Sequence, residues 1–165
     1  MTDSAVDIRP AGVHDLAGLV ELEQTCSGMP WREISLRQDL TDHVAAHYWV
    51  AVDPAGAVVG SVSCWVVLDE AEIVNLAVLP LWRRRGIARR LLQHLIGQVK
   101  NLGVAKVFLD VRETKQAAIA LYSGSGFMPV GRRSAYYADT GESAIIMSYI
   151  IGESDKQIVQ LDNRR

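Results

Sequence analysis

Cysteine is scarce in this chain of 165 residues, and the features that would direct a chain into a membrane are missing. The two cysteines, Cys26 and Cys64, are too few for a disulfide framework and do not have the spacing of metal ligands. No apolar stretch approaches the ~20 residues of a membrane-spanning helix. The start, MTDSAVDIRP, has no basic flank that leads into an apolar core. We therefore expect a cytoplasmic protein with reduced thiols and no membrane partner.

An excess of one charge is missing as well. The chain has 17 Lys and Arg against 19 Asp and Glu, a net charge of -2, which disfavours a dedicated nucleic-acid binder because such proteins present a basic face. Its 49% hydrophobic and 22% charged residues are typical of a globular protein. The length fits one domain, which we place at 1–152, with a polar tail at 153–165. His43 and His47 have no third ligand at a telling distance, so we expect no metal.

The order of the predicted elements indicates an α/β protein with a mixed, mostly antiparallel sheet and helices on both faces. Apolar periodicity and turn residues predict strands at 5–9, 48–52, 57–68, 71–80, 106–111, 129–137 and 144–150, and helices at 13–23, 34–43, 86–102 and 114–127. Thr114 is the expected cap of the last helix, and Gly103 the expected end of the third. The helix at 86–102 is expected to cross between two parallel strands.

Positive charge is nevertheless concentrated at one place. The segment PLWRRRGIARRLL (80–92) holds five arginines at the point where a predicted strand ends and a helix begins. Helix N-termini bind phosphate groups through free N–H groups, and Gly86 with the small Ala88 would let backbone amides approach a pyrophosphate. A solvated helix face and a nucleic-acid patch are the alternatives, and the latter predicts steeply salt-dependent binding.

Residues 83–88, RRRGIA, resemble the Arg/Gln-x-x-Gly-x-Gly/Ala signature of the GNAT superfamily of N-acetyltransferases. The resemblance runs from about residue 5 to 150 and is greatest to the ribosomal-protein-alanine N-acetyltransferases. Besides 83–96, it rests on Pro30-Trp31, VVLDEAEIVNLAV (66–78), DVR with AAIALY (110–122), SGF (125–127), YY (136–137) and AIIM (144–147). The resemblance implies the GNAT fold and acetyl-CoA as co-substrate.

The resemblance also implies where each substrate binds. The pantetheine arm would lie along Leu76, Ala77 and Val78, with a backbone N–H near Val78 against the thioester oxygen. The pyrophosphate would be held, chiefly by backbone amides, at Arg83, Arg84, Arg85, Gly86, Ile87, Ala88 and Arg89. Trp31, Tyr136 and Tyr137 would form walls around the acceptor.

Asp110 and Tyr122 occupy the positions of the family's general base and general acid. The family has Glu where this chain has Asp110, and a carboxylate one methylene shorter would act through water or leave the enzyme to use the unprotonated amine. The alternative for Asp110 is that it only orients Arg112 or nearby backbone, and the alternative for Tyr122 is packing in the core. Lys115 stands where the family usually has an Asn that binds the cofactor.

The expected activity is direct transfer of acetyl from acetyl-CoA to the N-terminal α-amino group of a protein, with an Ala-start ribosomal protein as acceptor. The alternatives are acetylation of a small-molecule amine or a lysine, and a CoA-binding module with weakened catalysis. Unimpaired cofactor binding without transfer would favour the module. The oligomeric state stays open.

Overall fold

The central strands bury side chains on both of their faces, which gives the sheet two apolar layers. The computed structural model describes residues 5–27 and 32–152. In the second strand, Trp49 and Ala51 belong to one buried cluster, whereas the alternate residues Val50 and Val52 belong to another. Because successive strand residues point to opposite faces, both faces of the sheet must be covered by helices.

The element order agrees with the sequence prediction, and so does the fold class. The strands are β1 (Asp7–Pro10), β2 (Ala46–Val52), β3 (Val58–Val67), β4 (Glu70–Val78), β5 (Lys106–Arg112), β6 (Met128–Arg133) and β7 (Ala144–Ile150). The helices are α1 (Leu16–Cys26), α2 (Glu33–Thr41), α3 (Ile87–Asn101) and α4 (Gln116–Gly124), with 3-10 turns at Val13–Asp15 and Pro80–Trp82. The sheet order is β1-β2-β3-β4-β5-β7-β6. Only the pair β4–β5 is parallel in this described sheet, and α3 is its crossover, as predicted.

Helix α3 anchors one face of the sheet. Its apolar stripe packs on the larger cluster, and Leu91, Leu92, Leu95 and Val99 are fully buried. Burial of one such side chain contributes about 1.5–3 kcal/mol before the cost of ordering it. Gly103 follows the helix with a φ of 84°, the left-handed conformation expected at a helix end.

Helices α1 and α2 cover the opposite face, where Leu16, Leu19 and Leu36 pack against Val50 and Val52. The two helices contact the sheet through β2, β3 and β4. None of the helices in residues 5–27 and 32–152 is long and apolar enough to cross a membrane.

Several predicted boundaries are wrong, each for an identifiable physical reason. Thr114 does not cap α4, because its hydroxyl donates to the Glu142 carboxylate and the helix begins at Gln116. The strand expected to reach residue 137 ends at Arg133, and Ala135 has a φ of 48°, which turns the chain. Pro10 is part of β1, since a strand at the edge of a sheet tolerates the missing N–H. The predicted tail at 153–165 lies outside the described residues.

Candidate active site

The parallel pair β4–β5 separates halfway along its length. Pairing runs from Glu70 opposite Lys106 to Ile73 opposite Leu109, although β4 continues to Val78 and β5 to Arg112. On its other side, β4 stays paired with β3. Residues 74–78 and 110–112 therefore form the two sides of an opening in the sheet, which we call the fork.

A β-bulge in β4 lies at the base of the fork. Ser63 pairs with Asn75 and Cys64 with Ile73, so the residue between Ile73 and Asn75 is an extra one on the β4 side. A bulge bends its strand and increases the local twist, which directs β4 away from β5. The Asn75 side-chain amide donates to the carboxylate of Glu23, a residue of α1 that is buried at 4% exposure. The fork is thus anchored to α1 at its base.

The far end of β4 presents a peptide group to the fork. The Leu79 N–H donates to the Val59 carbonyl of the β3 side at 2.9 Å, so the preceding residue, Val78, directs its N–H and C=O to the opposite side. The Val78 carbonyl accepts hydrogen bonds from Arg83 Nε at 3.0 Å and from Cys26 Sγ at 3.5 Å. The N–H of Val78 lies on the same side of β4 as this carbonyl, which is the side of the fork.

The loop at 83–86 brings the N-terminus of α3 next to the end of β4. Gly86 is the N-cap of α3 with a φ of 75°, and Arg84 also has a positive φ of 61°. The first intrahelical bond is donated by the Arg90 N–H to the Gly86 carbonyl, and no side chain caps the amides before it. These free amides and the helix dipole favour an anion at this end.

The arginines of this segment divide into two groups. Three of them contact the protein itself. Arg83 bonds Val78, Arg85 lies over the Trp82 ring at 4.8 Å, and Arg90 Nη2 donates to the Val6 carbonyl at 2.8 Å. The side chains of Arg84 and Arg89 are exposed.

Asp110 lies on the other side of the fork, on the face of β5 that points away from the main core. Val107, Leu109 and Val111 are buried, whereas Asp110 and Arg112 alternate with them. The Asp110 side chain is 17% exposed, and Arg133 Nε lies 3.8 Å from its Oδ1. The interpretation that Asp110 orients Arg112 is wrong, because Arg112 pairs with Asp139 and Glu142.

Tyr136 and Tyr137 lie near Asp110, and Tyr122 lies near Tyr137. The charge of Asp110 is the main cause that raises the pKa of Tyr136, followed by burial and a hydrogen bond to the same carboxylate. Burial, and then the charge of Asp110, raise the pKa of Tyr137. Burial, with a smaller effect of Tyr137, raises the pKa of Tyr122 to about 12. Tyr122 also packs edge-on against Phe127 at 5.8 Å, so it has the packing role as well as a protonated hydroxyl.

Other sequence candidates fall elsewhere. His43 stacks on Trp65 of β3 at 5.7 Å, and His47 stacks on Trp49 within β2 at 6.1 Å. Both pairs lie away from the fork between β4 and β5. In the described part of the chain, no three His, Cys, Asp or Glu side chains are grouped as metal ligands. Lys115 is the N-cap residue of α4. Trp31, with Pro30, lies outside the described residues.

Sequence reasoning missed the residues that hold the site together. Glu23 and Asn75 anchor the bulge, and Arg112 binds the loop at 134–143. One signal was present, since Asn75 interrupts the apolar run of AEIVNLAV and Glu23 adjoins Leu22 in an apolar stripe. A polar residue in a buried pattern requires a partner.

The split parallel pair, with an uncapped helix beside it and a carboxylate opposite, occurs here in a chain that matches a family of acyl-transfer enzymes. Residues 16–127 match the acetyltransferase (GNAT) family, and the chain belongs to that family. The ribosomal protein bS18-alanine N-acetyltransferase of Escherichia coli K12 is 36% identical over 136 residues, which cover 81% of this chain and 90% of the relative. The Salmonella typhimurium enzyme of the same name is 38% identical over the same length and shares.

A crystal structure of the Escherichia coli ribosomal-protein-S18-alanine N-acetyltransferase has the same fold. It superposes with a TM-score of 0.80 at 34% identity, and the match covers 88% of this chain and 94% of that chain. The resemblance drawn from the sequence is confirmed, and so is the prediction that the protein is an acetyltransferase.

Proposed function

We propose that this protein transfers the acetyl group of acetyl-CoA to the N-terminal α-amino group of a protein, and that the acceptor is a ribosomal protein that begins with alanine. The observation that carries the proposal is the fork, with the uncapped N-terminus of α3 at one end and Asp110 with Tyr136 and Tyr137 on the other side. The relatives named as ribosomal protein bS18-alanine N-acetyltransferases support the acceptor class. A ribosomal acceptor and two free thiols favour the cytoplasm as the site of action.

Acetyl-CoA fits the β4 side of the fork. The pantetheine arm would lie along Leu76, Ala77 and Val78, where the peptide groups of Leu76 and Val78 face the fork and offer the hydrogen bonds that β5 does not take. The Val78 N–H would donate to the thioester oxygen and stabilise the negative charge that develops there. The pyrophosphate would accept from amides of residues 84–89 at the start of α3.

The acceptor amine would enter on the Asp110 side. An α-amino group has a pKa near ~8, so a useful fraction is uncharged at neutral pH. The amine nitrogen attacks the thioester carbonyl carbon, the carbon–sulfur bond breaks, and CoA leaves as the thiolate. Asp110 takes the proton of the amine, through a water molecule where the short side chain does not reach it.

Tyr122 would return a proton to the leaving thiolate. With a pKa of about 12, its hydroxyl stays protonated throughout the physiological pH range. A thiol has a pKa near ~8.5, so the proton moves onto the thiolate only where the hydroxyl is well positioned. The packing of Tyr122 against Phe127 fixes that position.

A peptide panel tests the activity. The purified protein is incubated with acetyl-CoA and with Ala-, Ser- and Met-start peptides, N-blocked peptides that contain lysine, and polyamines, and products are read by mass spectrometry. We expect modification of free Ala-start peptides. Acetylated lysine or polyamine would refute the acceptor proposal, and acetyl-CoA binding without any transfer would favour a binding module.

A pair of tyrosine variants tests the role of Tyr122. Tyr122 and Tyr149 both pack against Phe127, with ring centroids at 5.8 and 5.5 Å. We expect Tyr122→Phe to lower kcat at least tenfold and Tyr149→Phe to leave it within twofold. Equal activity of the two tyrosine variants would remove Tyr122 from the mechanism.

Asp110→Asn should lower kcat/KM most at low pH, where the amine is protonated.

A further inference from the structure

The loop at 134–143 between β6 and β7 is bound to β5 by Arg112, in addition to the hydrogen bond between Tyr136 and Asp110. Arg112 Nη1 and Nη2 donate to the two carboxylate oxygens of Asp139 at 3.0 and 2.8 Å. Arg112 Nη1 also lies 3.1 Å from Glu142 Oε2 and 3.2 Å from Thr140 Oγ1. One guanidinium therefore binds three residues of the same loop.

The same guanidinium supports the tyrosines of the loop. Its central carbon lies 4.0 Å from the centroid of the Tyr137 ring, and Tyr137 packs edge-on against Tyr136 at 5.1 Å. The main chain closes the loop around Glu142, whose carbonyl accepts from the N–H groups of Tyr136 and Tyr137 at 2.9 and 3.1 Å. The position of the Tyr137 ring thus depends on Arg112 and Glu142, while the Tyr136 ring is also contacted by Asp110 and Arg133.

Shielding and geometry make this arrangement stronger than an ordinary surface ion pair. The side chains of Arg112, Asp139 and Glu142 are 18%, 31% and 22% exposed, so solvent screens their charges less than at the surface. The contact to Asp139 is bidentate, and the flat guanidinium can stack on a ring while it donates in its own plane. A lysine at this position could supply only a point charge.

The place of Arg112 in the strand couples the loop to the fork. Arg112 follows Asp110 by two residues and lies on the same face of β5. The strand that carries the Asp110 carboxylate therefore also binds the loop that carries Tyr136 and Tyr137. The carboxylate and the two rings thus keep a fixed position relative to one another.

We propose that Arg112 is a positioning residue that sets acceptor affinity and selectivity: it holds Tyr136 and Tyr137 against the acceptor site without touching the acceptor. This inference rests on the proposed function, since it assigns the acceptor to that side of the fork. The acceptor chemistry that fits is a short, extended peptide with a free N-terminus, enclosed by two aromatic rings.

The test compares Arg112→Lys and Arg112→Met with the control Arg9→Met. Arg9 makes a bidentate pair with Asp15, at 2.8 Å for both contacts, on β1 at the opposite end of the sheet order from β6. For Arg112→Lys and Arg112→Met, we expect the KM of an Ala-start peptide to rise about tenfold or more and discrimination against a Met-start peptide to fall. The Kd of acetyl-CoA should stay within twofold in every variant, and Arg9→Met should match the wild type in the KM of the peptide.

Other outcomes would overturn the proposal. An unchanged peptide KM in Arg112→Lys would show that a positive charge at this position suffices to hold the loop. A parallel loss of acetyl-CoA affinity would show that Arg112 has a general structural role. If Arg112→Met does not fold, Asp139→Asn removes one partner at the surface and should raise the peptide KM in the same direction.

A readout independent of activity separates this proposal from the proposed function. Hydrogen exchange of residues 134–143 should accelerate in Arg112→Lys while residues 87–101 keep their protection. If the wild type acetylates no peptide, the proposed function fails and the acceptor role of Arg112 with it. Unchanged exchange in the loop would overturn the positioning role by itself.

Discussion

Two glycines of the α3 segment offer a matched test of how the phosphate-binding loop is built. Gly86 has a φ of 75°, whereas Gly97 lies in the middle of α3 in ordinary helical conformation. A Cβ added at either position would have no neighbour within 4 Å. Because packing contributes nothing at either site, Gly86→Ala and Gly97→Ala differ only in backbone conformation.

The two substitutions should have opposite effects on the free energy of unfolding. A left-handed conformation costs an L-residue about 1–2 kcal/mol, so Gly86→Ala should destabilise the fold by about that amount. Alanine in a helix interior is favoured over glycine by about 0.5–1 kcal/mol, so Gly97→Ala should stabilise it. The difference between the variants is then about 1.5–3 kcal/mol, which corresponds to several degrees in Tm for a domain of this size.

Urea denaturation measures the unfolding free energy of each variant, and titration calorimetry measures the Kd of acetyl-CoA, which reports on the phosphate-binding loop. We expect Gly86→Ala to weaken acetyl-CoA binding as well, since relief of the strain would turn the amides of the loop away from the phosphates. Gly97→Ala should bind like the wild type. Shifts of the same sign in the two variants, or an unchanged stability of Gly86→Ala, would refute this account of the loop.

Three further predictions concern the rest of the domain. Leu95→Ala, at a fully buried position, should lower the unfolding free energy by about 2–5 kcal/mol in urea denaturation, and a value below 1 kcal/mol would contradict the core assignment. Hydrogen bonds from Arg9 lower the pKa of Asp15, so the stabilisation from this pair is complete above the ordinary Asp pKa near ~3.9 and is lost as pH falls below it. In Arg9→Met, the unfolding free energy should therefore fall less steeply as the solution is acidified. An unchanged dependence on pH would show that the pair does not contribute to stability. Burial raises the pKa of Cys64 to about 12, so iodoacetamide should label Cys26 first in the folded protein, and rapid native labelling of Cys64 would contradict its burial.

The features that sequence predicted well are those with a local cause. The stripe Ile87, Leu91, Leu92, Leu95 and Val99 is set by the 3.6-residue period of one helix. Gly103 marks a place where only the conformation of a single residue matters. Its role therefore follows from a few neighbouring residues of the sequence.

The features that sequence did not predict depend on partners far away in the chain. Nothing near Arg112 indicates its contacts with Asp139 and Glu142, which lie 27 and 30 residues later. Thr114 has the local pattern of a cap, yet Glu142 takes its hydroxyl. Here tertiary contacts override local preference.

The fork itself belongs to this second group. Its opening depends on one extra residue between Ile73 and Asn75, which is defined only by the register against β3. Residues alternate between the two faces of the sheet in the same way before and after a bulge. The residue pattern of an apolar strand therefore does not show whether the strand contains a bulge. The resemblance to a known family supplied the site residues that the pattern could not.

The division of labour among the five arginines has an evolutionary consequence. Arg83 and Arg90 donate to main-chain carbonyls of the protein, while the predicted phosphate ligands are peptide groups that every amino acid except proline possesses. If that prediction holds, selection for the co-substrate acts on the shape of the turn, to which the positive φ of residue 84 contributes, and leaves the side chain at 89 free to vary. Loss of Arg83 or Arg90 would instead weaken contacts within the fold. Related sequences could then differ in the exposed arginine side chains of this stretch and keep the same backbone amides.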